Sequence, residues 1–169
     1  GLAAGDQLVG FDSIDFRPAS GNLFALGASN QLYTIDINTA VATPFGQPFS
    51  PGLNSDFAGI DFNPVPDRLR VVGSSTQNFR LNPDETTRTV TVVDFDPNIP
   101  GLQVDPNLFF DPGDSSVGRS PDINAGVTPN VVATAYRNNR ADAATTPQRT
   151  TQFGIDSELD ILVQQGSPT

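Results

Sequence analysis

The chain has 169 residues, with nine Arg and no Lys against nineteen acidic residues, giving a net charge of −10. That length fits one domain with a sizeable core, while the acidic balance disfavours nucleic acid and anionic membranes, which need a basic face. The absence of Cys and His removes the disulfide frame, the thiolate nucleophile, the commonest general base and the usual transition-metal ligands.

Residues 1–13 read as a strand-like lead, with Leu8, Val9 and Phe11 between Gly5 and Gly10. At Ile14 a repeat begins. IDFRP at 14–18 returns as IDFNP at 60–64, and the match continues without a gap. Leu23 and Leu69, Gly27 and Gly73, Gln31 and Gln77, Tyr33 and Phe79, and Ile35 and Leu81 are all 46 residues apart. Ile14 and Phe16 alternate with Asp15 and Arg17, the period of a pleated strand. Pro18, Ser20, Gly21 and Asn22 supply turn chemistry before Leu23–Leu26. A second turn at 28–30 leads to QLYTIDI, and Val41–Phe45 makes a fourth strand closed by Gly46. The second unit repeats this over 60–93, which predicts equivalent buried places for Phe16 and Phe62.

A third copy begins at TAYRN (134–138), 120 residues after the first. It sets Tyr136 on Phe16, Arg137 on Arg17, FGID (153–156) on YTID (33–36) and Gly166 on Gly46, with a polar ADAATTPQRTT in place of its second strand. This spacing exceeds the first by 28 residues, which fall mainly in an acidic insertion at 94–125. Its prolines forbid a central strand, so an ordered excursion tied down by Leu108, Phe109 or Phe110 is predicted. Long ordered insertions are more often functional than filler. No helical apolar stripe persists for three turns, so almost no helix is expected.

Four short strands per repeat of about 45 residues is the arithmetic of a β-propeller blade. The expected fold is all-β, with propeller-like blades of short antiparallel strands. A single domain over 1–169 would hold units at 14–46, 60–93 and 134–166. Three repeats do not close a ring of ~4–8 blades. Flanking chain or other copies must then complete the sheets, or the units stack openly. No apolar run reaches the ~20 residues of a membrane helix. With neither an initiating Met nor a signal-peptide pattern, Gly1 is expected to be a processed or cut end.

IDFRPASGNLFALG, QLYTID, IDFNPVPDRLRVV with QNFRLNP, and PNVVATAYRNN ahead of TTQFGID and LVQQGSP together resemble the bacterial domain-of-unknown-function family 4394. The resemblance covers nearly the whole chain, and the ordered series of motifs is specific where each alone is weak. It implies a secreted or cell-surface protein of all-β, propeller-like character and brings no established activity. It also implies a domain extending past both ends, of which this chain is a core portion or a shortened member.

Asp94-x-Asp96-x-Asn98, with Asp105 eleven positions after Asp94, is the leading candidate metal loop. Calcium takes about six to eight oxygens, and alternate acidic side chains in a loop supply them. The spacing echoes an EF-hand, but Ile99 stands where the turn needs Gly and no helices flank it. An irregular calcium loop is therefore weighed against a solvated acidic loop with Asx turns. Asp111, Asp114, Asp122 and Asn124 form a second acidic cluster in the same insertion. Asp15 and Asp61 resemble the paired acids of glycoside chemistry. Their recurrence in equivalent positions favours a structural role instead, each bonding backbone amides. Arg68, Arg70 and Arg80 suit fork-like pairing with carboxylates across neighbouring strands. Thr145 and Thr146 beside Pro147 carry the compositional mark of O-glycosylation.

The function expected is a non-catalytic extracellular or cell-surface module, structural or adhesive, that assembles through open sheet edges and can extend into filaments. Its partners would be further copies or flanking chain segments, with no nucleic acid and no membrane span. The runner-up is a calcium-dependent module that binds glycan or another surface ligand, although no Trp and two Tyr offer few aromatic platforms. A calcium-dependent propeller hydrolase is the third reading.

Overall fold

The computed structural model describes residues 2, 4–7, 14–140 and 150–166. Leu8, Val9 and Phe11 of the lead, and the Thr145–Thr146–Pro147 loop, lie outside the described residues. Alternation and turn chemistry build the units as the repeat predicts. β1 (Ile14–Phe16), β2 (Leu23–Leu26), β3 (Leu32–Asp36) and β4 (Val41–Phe45) pair antiparallel in chain order. β5 (Ala58–Asn63), β6 (Arg68–Gly73), β7 (Asn78–Asp84) and β8 (Thr89–Val92) do the same in a second sheet. β9 (Val131–Tyr136), β10 (Gln152–Asp156) and β11 (Ile161–Gln165) form a third. Among the described residues the one helical element is a 3-10 turn at Ser115–Val117, and no helix is long and apolar enough to cross a membrane. The chain is all-β and propeller-like.

One hairpin device recurs in all three sheets. Asp36 accepts from the N–H groups of Asn38 (2.8 Å) and Thr39 (3.2 Å), and Asp84 from those of Thr86 (2.8 Å) and Thr87 (3.0 Å). Asp156 does the same with Glu158 (3.1 Å) and Leu159 (3.0 Å). Ala40, Arg88 and Asp160 then take left-handed backbone conformations (φ 56°, 52° and 54°) that return the chain.

Cross-strand partners share a face, and that sorts the core. Phe24, Leu26, Leu32 and Phe45 on one face of the first sheet pack on Ile60, Phe62, Leu69 and Phe79 of the second. Phe24 meets the rings of Phe45 and Phe62 edge-on at 5.2 and 5.3 Å. Arg17 bridges the same two sheets, bonding Asp67 (2.6 Å), Glu85 (3.1 Å) and the Pro83 carbonyl (3.0 Å). Phe62 is fully buried, whereas Phe16 is 49% exposed. The predicted equivalence in burial fails because, among the described residues, no sheet covers Phe16 as the first sheet covers Phe62. Place in the stack decides burial here, since the residue and its face are the same.

The second seam is polar. Arg70 Nε meets the Tyr136 hydroxyl (3.4 Å), Gln165 Nε2 meets Asn78 Oδ1 (3.2 Å), and Thr150 Oγ1 meets Asn63 Oδ1 (3.2 Å). The insertion enters on the same side. Asp105, only 6% exposed, accepts from Arg70 (2.6 Å) and Arg80 (2.6 Å). Apart from the 3-10 turn and an Asp114–Arg119 bridge, the insertion is irregular, as its prolines require. Its anchor meets the prediction at Leu108 and adds to it at Asp105. Phe109 is 68% exposed, and the hold comes from Asp105 and from the Leu108 N–H on the Thr76 carbonyl (2.8 Å). A carboxylate facing two guanidinium groups outbids a ring that would need an apolar pocket.

The third sheet departs from the repeat in one respect. The Asp156 turn matches the Asp36 turn, so β10 is the sequence counterpart of β3. Yet β10 pairs directly with β9 in the register of β2 with β1. Tyr136–Gln152, Ala135–Phe153 and Thr134–Gly154 reproduce Phe16–Leu23, Asp15–Phe24 and Ile14–Ala25. The Arg137 N–H on the Thr151 carbonyl (3.0 Å) likewise reproduces Arg17 on Asn22 (2.9 Å). Antiparallel neighbours alternate in direction, so omitting one strand reverses the next and turns its faces over. Phe153 therefore takes the place of Phe24, not that of Tyr33.

Replacing Asp105 by Ala strands two arginines and is expected to cost roughly 3 kcal/mol of unfolding free energy. Asp56→Ala, at an exposed site, should change it by less than about 0.5 kcal/mol. Urea titrations of the two variants beside the parent protein read the contrast.

Candidate functional site

The candidate calcium ligands have other engagements. Asp94 Oδ1 accepts from the N–H groups of Asp96 (3.1 Å) and Gln103 (3.2 Å), and Asp96 Oδ1 accepts from both nitrogens of Asn98 (3.0 Å each). These are Asx turns of an acidic loop. Asp105 faces Arg70 and Arg80 instead of joining them. In the second cluster Asp111 pairs with Arg119 (2.9 Å), and Asp114 caps the 3-10 turn at the Ser116 N–H (2.9 Å). Among the described residues no three acidic side chains stand close enough to share a cation.

The chemistry gathers at the inner strands. Asp15 on β1 accepts the N–H of Phe62 on β5 (2.8 Å), and Asp61 on β5 accepts the N–H of Tyr136 on β9. Each carboxyl group thus reaches the backbone of the next unit, the structural role that the repeat suggests. Tyr136 here stands where Phe62 stands one unit earlier. The series stops at Ala135, which holds the Asp place in the third unit. Asn139 adds a bond from Nδ2 to Asp61 Oδ1 (3.0 Å). The corresponding places in the other units are Ala19 and Val65, so a polar residue against two apolar ones was the available, overlooked signal.

Asp15 and Asp61 also line one cleft. Arg70, the cross-strand neighbour of Asp61, is turned to Asp105, Asn78 and the Tyr136 hydroxyl. Burial, and next the Asp15 charge, push Asp61 up to about 8, and burial raises Asp15 as well. At neutral pH the pair therefore keeps one proton between its two carboxyl groups. The pair lies at the floor of a cleft of about 430 Å³ walled by Ile14, Ile60, Phe153, Ile155 and Leu162.

This shared proton gives the fold a pH dependence of definite sign. The native state keeps the Asp61 proton up to about pH 8, whereas an unfolded Asp releases it near pH ~4. Between those values folding binds a proton, so stability falls as pH rises. Melts between about pH 6 and 8 should show a loss on the order of 1 kcal/mol per pH unit. Asp61→Asn, which keeps the shape without the charge, should flatten that slope.

No curated protein matches the chain significantly. Among solved structures, an auxiliary nutrient binding protein from Bacteroides thetaiotaomicron VPI-5482 is similar at 15% identity with a TM-score of 0.47, over 88% of this chain and 32% of that one. This chain thus spans about a third of that protein's length. The family described as a domain of unknown function, DUF4394, matches residues 1–169, and the chain belongs to that family.

Proposed function

We propose that this chain is a non-catalytic extracellular module, structural or adhesive, that acts by joining its open sheets to other protein surface. The observation that carries the reading is the contrast between Phe62, buried beneath a neighbouring sheet, and Phe16, its half-exposed counterpart on the face of the first sheet that turns away from the second. The third sheet supports it from the other end, with Ile155 and Leu162 exposed. At ~25 cal/mol per Å² of apolar surface, covering such faces supplies enough free energy for stable association. The non-catalytic part rests on the absence of His, Cys and Lys from the sequence, which leaves Ser and Thr without an evident activating partner. An acidic, Lys-free composition suits an exterior setting.

The cleft beside Asp15 and Asp61 favours a second reading, capture of a small surface ligand. Its apolar walls and two carboxyl groups fit the general form of ligand sites, concave and mostly apolar with a few convergent polar groups.

Light scattering and electron microscopy at micromolar concentration test the main reading. The expected result is a mass above that of one chain. A compact, cooperatively melting monomer would sink the assembly reading and leave the cleft as the functional surface.

A further inference from the structure

We propose that the loop at 94–104 is a docking surface for a basic segment of another protein, one that carries Lys or Arg beside apolar side chains. No residue of this loop lines the cleft or belongs to a strand, so its role stands whether or not the chain assembles through its sheets.

The loop is built inside out. Its ends meet where the Phe95 N–H donates to the Gln103 carbonyl (2.7 Å) and the Gln103 N–H donates to Asp94 Oδ1 (3.2 Å). Asp94 Oδ1 also accepts the Asp96 N–H (3.1 Å), and Asp96 Oδ1 accepts the Asn98 N–H (3.0 Å). Gln103 Nε2 donates to the Gly101 carbonyl (3.1 Å). The polar side chains are thus spent on the loop's own backbone, and the apolar ones are left outside. Phe95, Ile99, Leu102 and Val104 are 55%, 50%, 46% and 38% exposed. Exposed apolar residues scattered singly are normal on a protein surface. Here they share one short loop whose ends are tied together, and keeping such a patch wet is unfavourable. The next residue, Asp105, is clamped by Arg70 and Arg80 (2.6 Å each). That mounts the patch on the second sheet, so little ordering is needed when a partner binds.

Charge selects the occupant. Asp94 and Asp96 belong to the loop, and among the described residues no ion pair neutralises either. The one base between positions 94 and 130 is Arg119, which Asp111 holds at 2.9 Å. A second copy is a poor partner, since it carries the same net charge of −10 and no Lys. Nucleic acid is repelled for the same reason. A basic protein segment complements the loop, its apolar side chains meeting the patch and its cations meeting the carboxyl groups at the rim.

The chain has no Trp, so the emission of a Trp in a peptide probe reads binding directly. The probe is a short synthetic peptide that alternates Lys with Leu around one Trp, and its counterpart carries Glu for each Lys. The Lys peptide should bind the parent chain, more weakly as salt rises. The Glu peptide should bind at least about tenfold more weakly. Asp94→Asn with Asp96→Asn keeps the side-chain acceptors that close the loop and removes their charge. Phe95→Ser with Ile99→Ser removes two half-exposed anchors; Leu102→Ser takes over if that pair disturbs the melt. Each loop variant should melt near the parent and bind the Lys peptide at least about tenfold more weakly. Asp56→Asn with Glu158→Gln removes as much charge at exposed places elsewhere and should bind within about twofold of the parent. Equal weakening by this control assigns the attraction to net charge and overturns the docking site. So does parent-like binding by either loop variant, equal binding of the Glu peptide, or no binding of the Lys peptide.

Discussion

Burial of Phe62 beneath Phe24 and Phe45 is the contact on which the rest of the stack depends. A sheet of short strands is marginal by itself, and it becomes stable when its apolar face meets another layer. The second sheet is covered on both sides, by aromatic packing on one and by a polar seam on the other. The first and third sheets each keep an outer face.

The two internal seams use different chemistry for one purpose. At the first, a dry aromatic cluster is flanked by Arg17, which holds Asp67 and Glu85 of the neighbouring unit. At the second, Arg70 and Asn78 stand in the places of Phe24 and Leu32, Arg80 in that of Thr34, and Asp105 arrives from the insertion to neutralise the two guanidinium groups. The insertion therefore belongs to the structure of the second seam. Its remaining acids turn inward on their own backbone. The inner strands add a tie common to both seams, an Asp carboxyl group on the next unit's amide.

Architecture was legible in the sequence because duplication leaves correlated marks. The 46-residue spacing marked the first two sheets, and the Asp that opens the closing hairpin aligns between units one and three, at Asp36 and Asp156, while in unit two it is shifted by two residues to Asp84. The site was less legible, for a physical reason. Asp105 looks like a calcium ligand by spacing to Asp94, but its partners Arg70 and Arg80 come from strands some 25 to 35 residues earlier. Linear spacing cannot register a contact made through tertiary packing. The exposure of Phe16 escaped for a related reason: its sequence surroundings match those of Phe62, and only the missing neighbour differs.

The reversed β10 strand carries a consequence for how such repeats diverge. Taking one strand out of the pairing of an antiparallel unit turns every later strand of that unit over, whatever residues that strand carries. Losing two would restore the original sidedness. Parity of strand loss, more than residue change, then decides whether a shortened blade keeps its old neighbours or presents a new surface. In this chain the count is odd, and Phe153 and Ile155 take the places of Phe24 and Leu26.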